Sequence, residues 1–154
     1  MYIGQFDKYS CAPIAIMNAL KWLGRPCYYD LDWFRRICRC SGTGTYLDDL
    51  DNAVKFFGLA EEFHTNPPLY LINKKLDFGQ AALITYINLR KSKEFGHSML
   101  CVSRTPDHYK VINYGRNIHP VQQMRKHTLK YLLRKKYKKQ TESRVYFLEK
   151  DNGQ

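Results

Sequence analysis

Cys11 follows Gln5 by six positions and opens the run CAPIAIMNALKWLG, whose apolar residues recur at near-helical spacing. A thiol at a helix start faces the positive end of the backbone dipole, which lowers its pKa and raises its thiolate fraction. A side-chain amide shortly upstream can fold back and donate to an oxyanion developing on an attacked carbonyl. A thiol nucleophile also needs a base within hydrogen-bond reach, and the base needs a third group to hold its ring. Of the five histidines, His97 is the best placed, after Gly96 at the mouth of the apolar run SMLCVS at 98–103. Asn113 ends the alternating run YKVIN at 109–113. A turn at Thr105-Pro106-Asp107-His108 joins these runs into a hairpin, with His97 and Asn113 at one end of it. There Asn113 can accept from one imidazole N–H and leave the other ring nitrogen facing the thiol.

The elements that must position these groups follow from periodicity. Ser10 is the expected N-cap of an amphipathic first helix. Pro13 is tolerated in its first turn and Gly24 ends it. A second helix is expected over Asp30–Cys40, with Leu31, Phe34 and Ile37 on one side. A third runs from Thr45 or Tyr46 to Phe57, with Leu47, Leu50, Val54 and Phe57 in helical register. After Asn66-Pro67-Pro68 the character changes. Residues 69–76 read as a short helix or an irregular strand. Strands are expected at 81–89, 98–103, 109–113 and 144–149, and a basic helix at 122–139. Helices followed by strands predict an α+β domain with an antiparallel sheet.

The chain has 154 residues, 44% of them hydrophobic and 14% aromatic, which argues against disorder and suits one domain with a real core. That domain is expected over 1–150, with 151–154 as a tail. No stretch approaches the ~20 apolar residues of a membrane span, and no signal-peptide pattern opens the chain. The expected location is the cytoplasm. The five cysteines, an odd number, then suit reduced thiols, one of which can be reactive. Cys38 and Cys40, with Cys27 nearby, make a poor zinc set, because Cys-x-Cys on a helix points the thiols apart. Cys101 reads as core. No metal or other cofactor is expected.

The ordered set resembles the papain-like fold, and within it the bacteriocin-processing peptidases, which cut leader peptides from secreted peptides in bacteria. The carriers are Gln5 with Cys11, the segment GTGTYLDDLDNAVKFFGL at 42–59, the strand QAALITYINL at 80–89, Gly96-His97, and Asn113 on the next strand. They cover residues 3–149 in order. Ala12 stands where a glycine commonly follows the cysteine, and Tyr114 where a proline usually follows the third residue. The resemblance implies N-terminal helices, with the nucleophile at a helix start, packed on an antiparallel sheet. It implies that Gln5 and the Cys11 N–H hold the oxyanion, that Cys11 attacks, that His97 is base and then acid, and that Asn113 orients His97. Related domains usually front an exporter. This chain shows neither a transmembrane part nor an ATP-binding motif, so a stand-alone bacterial or phage peptidase acting on a peptide or isopeptide bond is expected.

A second reading stays open. Residues 125–139 (RKHTLKYLLRKKYKK) hold eight basic side chains and no acid: Arg125, Lys126, Lys130, Arg134, Lys135, Lys136, Lys138 and Lys139. They can form the solvated side of a helix packed on the sheet. They can equally attract an acidic protein or nucleic acid, and the chain would then be an inactive papain-fold adaptor.

Overall fold

The computed structural model describes residues 1–28, 30–87, 96–114, 119–134, 136–137, 140–141 and 143–151. Helix α1 spans Cys11–Trp22, and every residue from Ala12 to Leu20 is buried. It is therefore a central helix rather than the amphipathic one expected. Asn18 is the single polar side chain between Cys11 and Lys21, and its amide is satisfied internally. Ile3 N donates to Asn18 Oδ1 at 2.8 Å, and Asn18 Nδ2 donates to Ile3 O at 2.9 Å. This pair ties the N-terminal segment to α1.

Helices α2 (Leu31–Ile37) and α3 (Leu47–Phe56) follow. Asp30 caps α2 by accepting from Trp33 N at 3.0 Å. The chain then forms β1 (His64–Thr65), α4 (Leu69–Asp77), β2 (Ala81–Ile87), β3 (Gly96–Arg104), β4 (His108–Ile112) and β5 (Val121–Arg125). It ends with α5 (Lys126–Leu133), β6 (Lys136–Tyr137), β7 (Gln140–Thr141) and β8 (Arg144–Leu148). The ambiguous stretch after the prolines is a helix. Residues 88 and 89 of the expected 81–89 strand lie outside the described residues.

The main sheet has six strands in the order β1-β8-β2-β3-β4-β5, every neighbouring pair antiparallel. The period-two alternation of a strand sends adjacent side chains to opposite faces. Accordingly Ala81 and Leu83 join Leu100, Ile112 and Tyr146 against α1, α2 and α3. Ala82, Ile84 and Tyr86 join Met99, Val111 and Val145 against α4 and α5. The sheet is thus covered on both faces, and the fold class is α+β as expected. Among the described residues no helix is long and apolar enough to cross a membrane.

The region expected as one basic helix over 122–139 is divided. Residues 121–125 form a strand on the sheet edge, where all five pair with β4, from His108↔Arg125 to Ile112↔Val121. Only Met124 of that strand is buried, so the edge is joined through backbone hydrogen bonds with little apolar alternation to announce it. The helix itself is eight residues long, with Leu129, Leu132 and Leu133 inward. Residues 136–137 and 140–141 then pair as a small hairpin.

Candidate active site

Cys11 takes the first helical position of α1 and is half-buried. Its thiol donates to the carbonyl oxygen of Gly96 at 3.8 Å, the peptide oxygen that leads into His97. Two elements 85 residues apart therefore meet at the nucleophile and the residue beside the base. Gly96 suits the close approach of the strands here. A Cβ on it would stand 3.2 Å from Thr85 Cγ2 and 3.3 Å from Tyr86 O, tighter than ordinary contact, so any larger residue would push β2 and β3 apart by a few tenths of an ångström at this end. His97 pairs with Tyr86 in the ladder, and their rings stand 5.7 Å apart.

The contact between His97 and Asn113 is made by the main chain. His97 Nε2 lies 2.5 Å from the Asn113 carbonyl oxygen. A carbonyl can only accept, so Nε2 carries the proton and Nδ1 holds the lone pair in the neutral ring. Asn113 reaches this geometry just past β4 with φ at 65°, a left-handed conformation that Asn tolerates better than most side chains. Its own N–H donates to Pro120 O at 2.8 Å, which ties 113 to 120. The Asn113 side chain turns elsewhere. Nδ2 donates to Gln5 Oε1 at 3.2 Å, while Oδ1 is buried with no hydrogen-bond partner among the described residues.

Gln5 is 6% exposed, and its Nε2 donates to Asp7 O at 2.8 Å. A hydrogen-bonded chain therefore runs from the imidazole through Asn113 and Gln5 to the loop before Cys11. Asp7 continues it. Its Oδ1 accepts from Tyr9 N and Ser10 N, both at 2.8 Å, and its Oδ2 accepts from Ser10 Oγ at 2.7 Å and from the Arg35 guanidinium. Arg35 Nε also donates to Ser10 Oγ at 2.8 Å. Ser10 is the residue before α1, but its side chain does not cap the helix as expected. It is held in the Asp7–Arg35 clamp, which sets the backbone immediately before Cys11. Burial raises the Asp7 pKa, but hydrogen bonds from Tyr9, Ser10 and Arg35 outweigh that and hold it at about 2.

Asp7 and Arg35 were not among the expected site residues. Half the signal was legible, because an aspartate readily accepts from N–H groups two and three residues on. Arg35 lies 28 positions away on α2, and nothing local marks it as the partner.

The other cysteines stand apart chemically. Burial pushes Cys38 and Cys101 up to about 12 and also raises Cys27 and Cys40. Cys38 and Cys40 lie beyond the end of α2 rather than on it. Cys38 is in the core, and the Cys40 thiol donates to Tyr9 O at 3.2 Å. Among the described residues no three His, Cys, Asp or Glu side chains gather as a metal site. Ala12 is 3% exposed and packs in the core, so its methyl faces away from solvent.

The fold recurs in solved structures. The peptidase domain of Streptococcus ComA, a bi-functional ABC transporter involved in a quorum-sensing pathway, aligns with TM-score 0.70 and 15% identity, over 96% of this chain and 98% of that one. The papain-like fold is that of the bacteriocin-processing, C39-like peptidases. A putative C39-like peptidase from Bacillus anthracis aligns with TM-score 0.66 and 11% identity, over 98% of this chain and 96% of that one. A double-glycine-motif protease from an AMS/PCAT transporter, solved with its leader peptide, aligns with TM-score 0.53 and 10% identity, covering 96% and 90%. No family model and no curated protein matches the chain. At these identities the likeness is one of fold, and the peptidase-fold residues of this chain rest on their own geometry.

Proposed function

We propose that the chain is a cysteine peptidase that hydrolyses a peptide or isopeptide bond. The observation that carries this reading is the hydrogen-bonded chain His97–Asn113–Gln5–Asp7, which runs from the imidazole to the loop before Cys11, together with the seat of the Cys11 thiol on the carbonyl oxygen of Gly96 beside His97. The Cys11 thiol gives its proton to His97, and the sulfur attacks the carbonyl carbon. A C–S bond forms, and the carbonyl electrons collect on oxygen. The Cys11 N–H and the second N–H of the Gln5 amide are the donors for that oxyanion. His97 returns the proton to the leaving nitrogen as the C–N bond breaks, leaving a thioester. Water, deprotonated by His97, attacks the thioester, and the thiol is regenerated. Asn113 acts on His97 through its carbonyl and on Gln5 through its amide. The fold likeness supports the reaction class, and the leader peptide bound to one neighbour suggests a peptide substrate. A reducing cytoplasm, in a bacterium or under phage infection, suits the five free thiols.

Alkylation tests the reading without a known substrate. At pH 6 iodoacetamide is expected to modify Cys11 at least about tenfold faster than Cys27, Cys38, Cys40 or Cys101, since only thiolate reacts. His97→Ala should slow Cys11 and leave the other four unchanged. Equal rates at every accessible cysteine would overturn the proposal.

The Asn113 contact gives a second, finer expectation. Asn113→Gly keeps the carbonyl and accepts φ at 65° without strain, so the Cys11 alkylation rate should stay within about threefold of native. Asn113→Ala must hold a Cβ in the left-handed region at a cost of about 1–2 kcal/mol, and should slow alkylation more. Alkylation needs no oxyanion donor, so loss of the Gln5 bond does not confuse the comparison. If both variants lost reactivity equally, the side chain rather than the carbonyl would be what holds His97.

A further inference from the structure

The net positive charge of this chain is confined to one half of it. Residues 1–78 carry nine acidic and nine basic side chains, whereas residues 79–154 carry sixteen basic and five acidic, which accounts for the whole formal charge of +11. Within the second half, α5 turns Leu129, Leu132 and Leu133 to the core and presents two exposed rows. Lys126, Lys130 and Arg134 recur every fourth position, which stacks them along one side of the helix over about 12 Å. His127 and Tyr131, also four apart, form the neighbouring row, and Tyr131 is 62% exposed. Arg125, Lys126, Lys130 and Arg134 enter no ion pair among the described residues.

Two hollows flank this ridge and share Lys130. One of about 420 Å³ is lined by Asp107, His108, Arg125, Lys126, His127 and Lys130. The other, of about 460 Å³, lies between the 66–69 turn and the Lys130, Leu133 and Arg134 side of α5. Among the described residues Asp107 is the only acid in either lining. The surface is also remote from the thiol. His108 and Arg125 pair at one end of β4, and Asn113 follows its other end, roughly 17 Å along the strand. The basic residues at 135, 138 and 139 lie outside the described residues.

We propose that this face of α5 and its hollows bind single-stranded nucleic acid, as a site separate from the Cys11 cleft. The cation row meets successive phosphates, and the aromatic row offers a π-face for bases. A positive track beside exposed aromatic rings is the arrangement that holds single strands without sequence preference. An acidic protein segment would use the cations but gains nothing from the adjacent ring, and this favours nucleic acid.

Fluorescence anisotropy of a fluorescein-labelled 12-mer oligothymidylate with the full chain tests the proposal. Binding is expected at 50 mM NaCl, with log K falling against log salt at a slope of about −3, near −0.7 for each of four phosphate contacts. The variant Lys126→Glu/Lys130→Glu/Arg134→Glu should lose at least tenfold in affinity and flatten the slope toward about −1. Its Cys11 alkylation rate should be unchanged, which reports an intact fold. Tyr131→Ala should weaken the oligonucleotide at least about fivefold, from the loss of a stacked base, and leave polyglutamate binding as it was. Absence of binding at 50 mM NaCl would overturn the proposal. So would polyglutamate binding as tightly as the oligonucleotide with no effect of Tyr131→Ala, which would identify a surface for acidic protein.

Discussion

Replacing Cys11 with alanine is expected to abolish hydrolysis of any peptide the native chain cleaves, with the rate constant falling by about 10⁶-fold. His97→Ala should fall by a comparable factor. The physical reason is that the two groups act as one unit. Without the base the thiol enters the reaction mostly protonated, and without the thiol the base has no nucleophile to activate. The double variant should therefore be no slower than the worse single one, because what remains in each case is binding and the oxyanion donors alone. Neither change should unfold the protein, since Cys11 and His97 are both half-buried and outside the core. The measurement is single-turnover cleavage of a fluorogenic peptide library by native and variant chains, with circular dichroism to check folding. Cleavage by Cys11→Ala at more than about a hundredth of the native rate would remove Cys11 from the nucleophile's role. It would not touch the α5 proposal, which has its own readout.

Asn18→Leu is expected to cost about 3 kcal/mol of stability. Leucine fits the volume of a fully buried site in α1 but removes both bonds to Ile3, leaving that residue's N–H and C=O unmatched. An unmatched buried polar group costs about 1–3 kcal/mol. For a domain of this size each kcal/mol lowers Tm by about 2–4 °C, so the midpoint should fall by roughly 6–12 °C. The same variant should also slow Cys11 alkylation at temperatures where it is folded. Ile3 lies two residues before Gln5, and releasing it loosens the anchor of the Gln5–Asp7 loop that leads into Cys11. A loss below about 0.5 kcal/mol by urea denaturation would show that the N-terminal segment is held by its other contacts.

The helices and the central strands were legible because their signals are local. Leu47, Leu50 and Val54 repeat at helical spacing, β2 and the middle of β3 are apolar runs, and β4 alternates after a turn. The β3–β4 hairpin is closed by a short turn, so the placing of His97 and Asn113 at one end needed no long-range information. Residues 122–139 were misread for the opposite reason. Their basic composition and scattered leucines suit a helix, and the start of that stretch was drawn into a strand by an unpaired sheet edge. The backbone hydrogen bonds of β4 with β5 leave little trace in side-chain pattern. The buried character of α1 was written in APIAIMNAL, a run with one polar side chain. Its amphipathic reading gave too much weight to periodicity and too little to the absence of a polar face.

Residue order alone dictates which groups are available for chemistry: an amide, a thiol at a helix start, a histidine entering a strand and an asparagine leaving its partner. Composition and periodicity also set the α+β class. How those groups touch was settled only by packing in three dimensions. It seats the thiol against the Gly96 carbonyl, and it holds His97 by the Asn113 main chain rather than the side chain. It turns the Asn113 amide onto Gln5 and locks the approach to Cys11 with Arg35 from another helix. These contacts join positions from 16 to 108 residues apart. Each depends on the angle of a side chain or the sign of one φ, and side-chain order along a chain does not encode either until packing selects it.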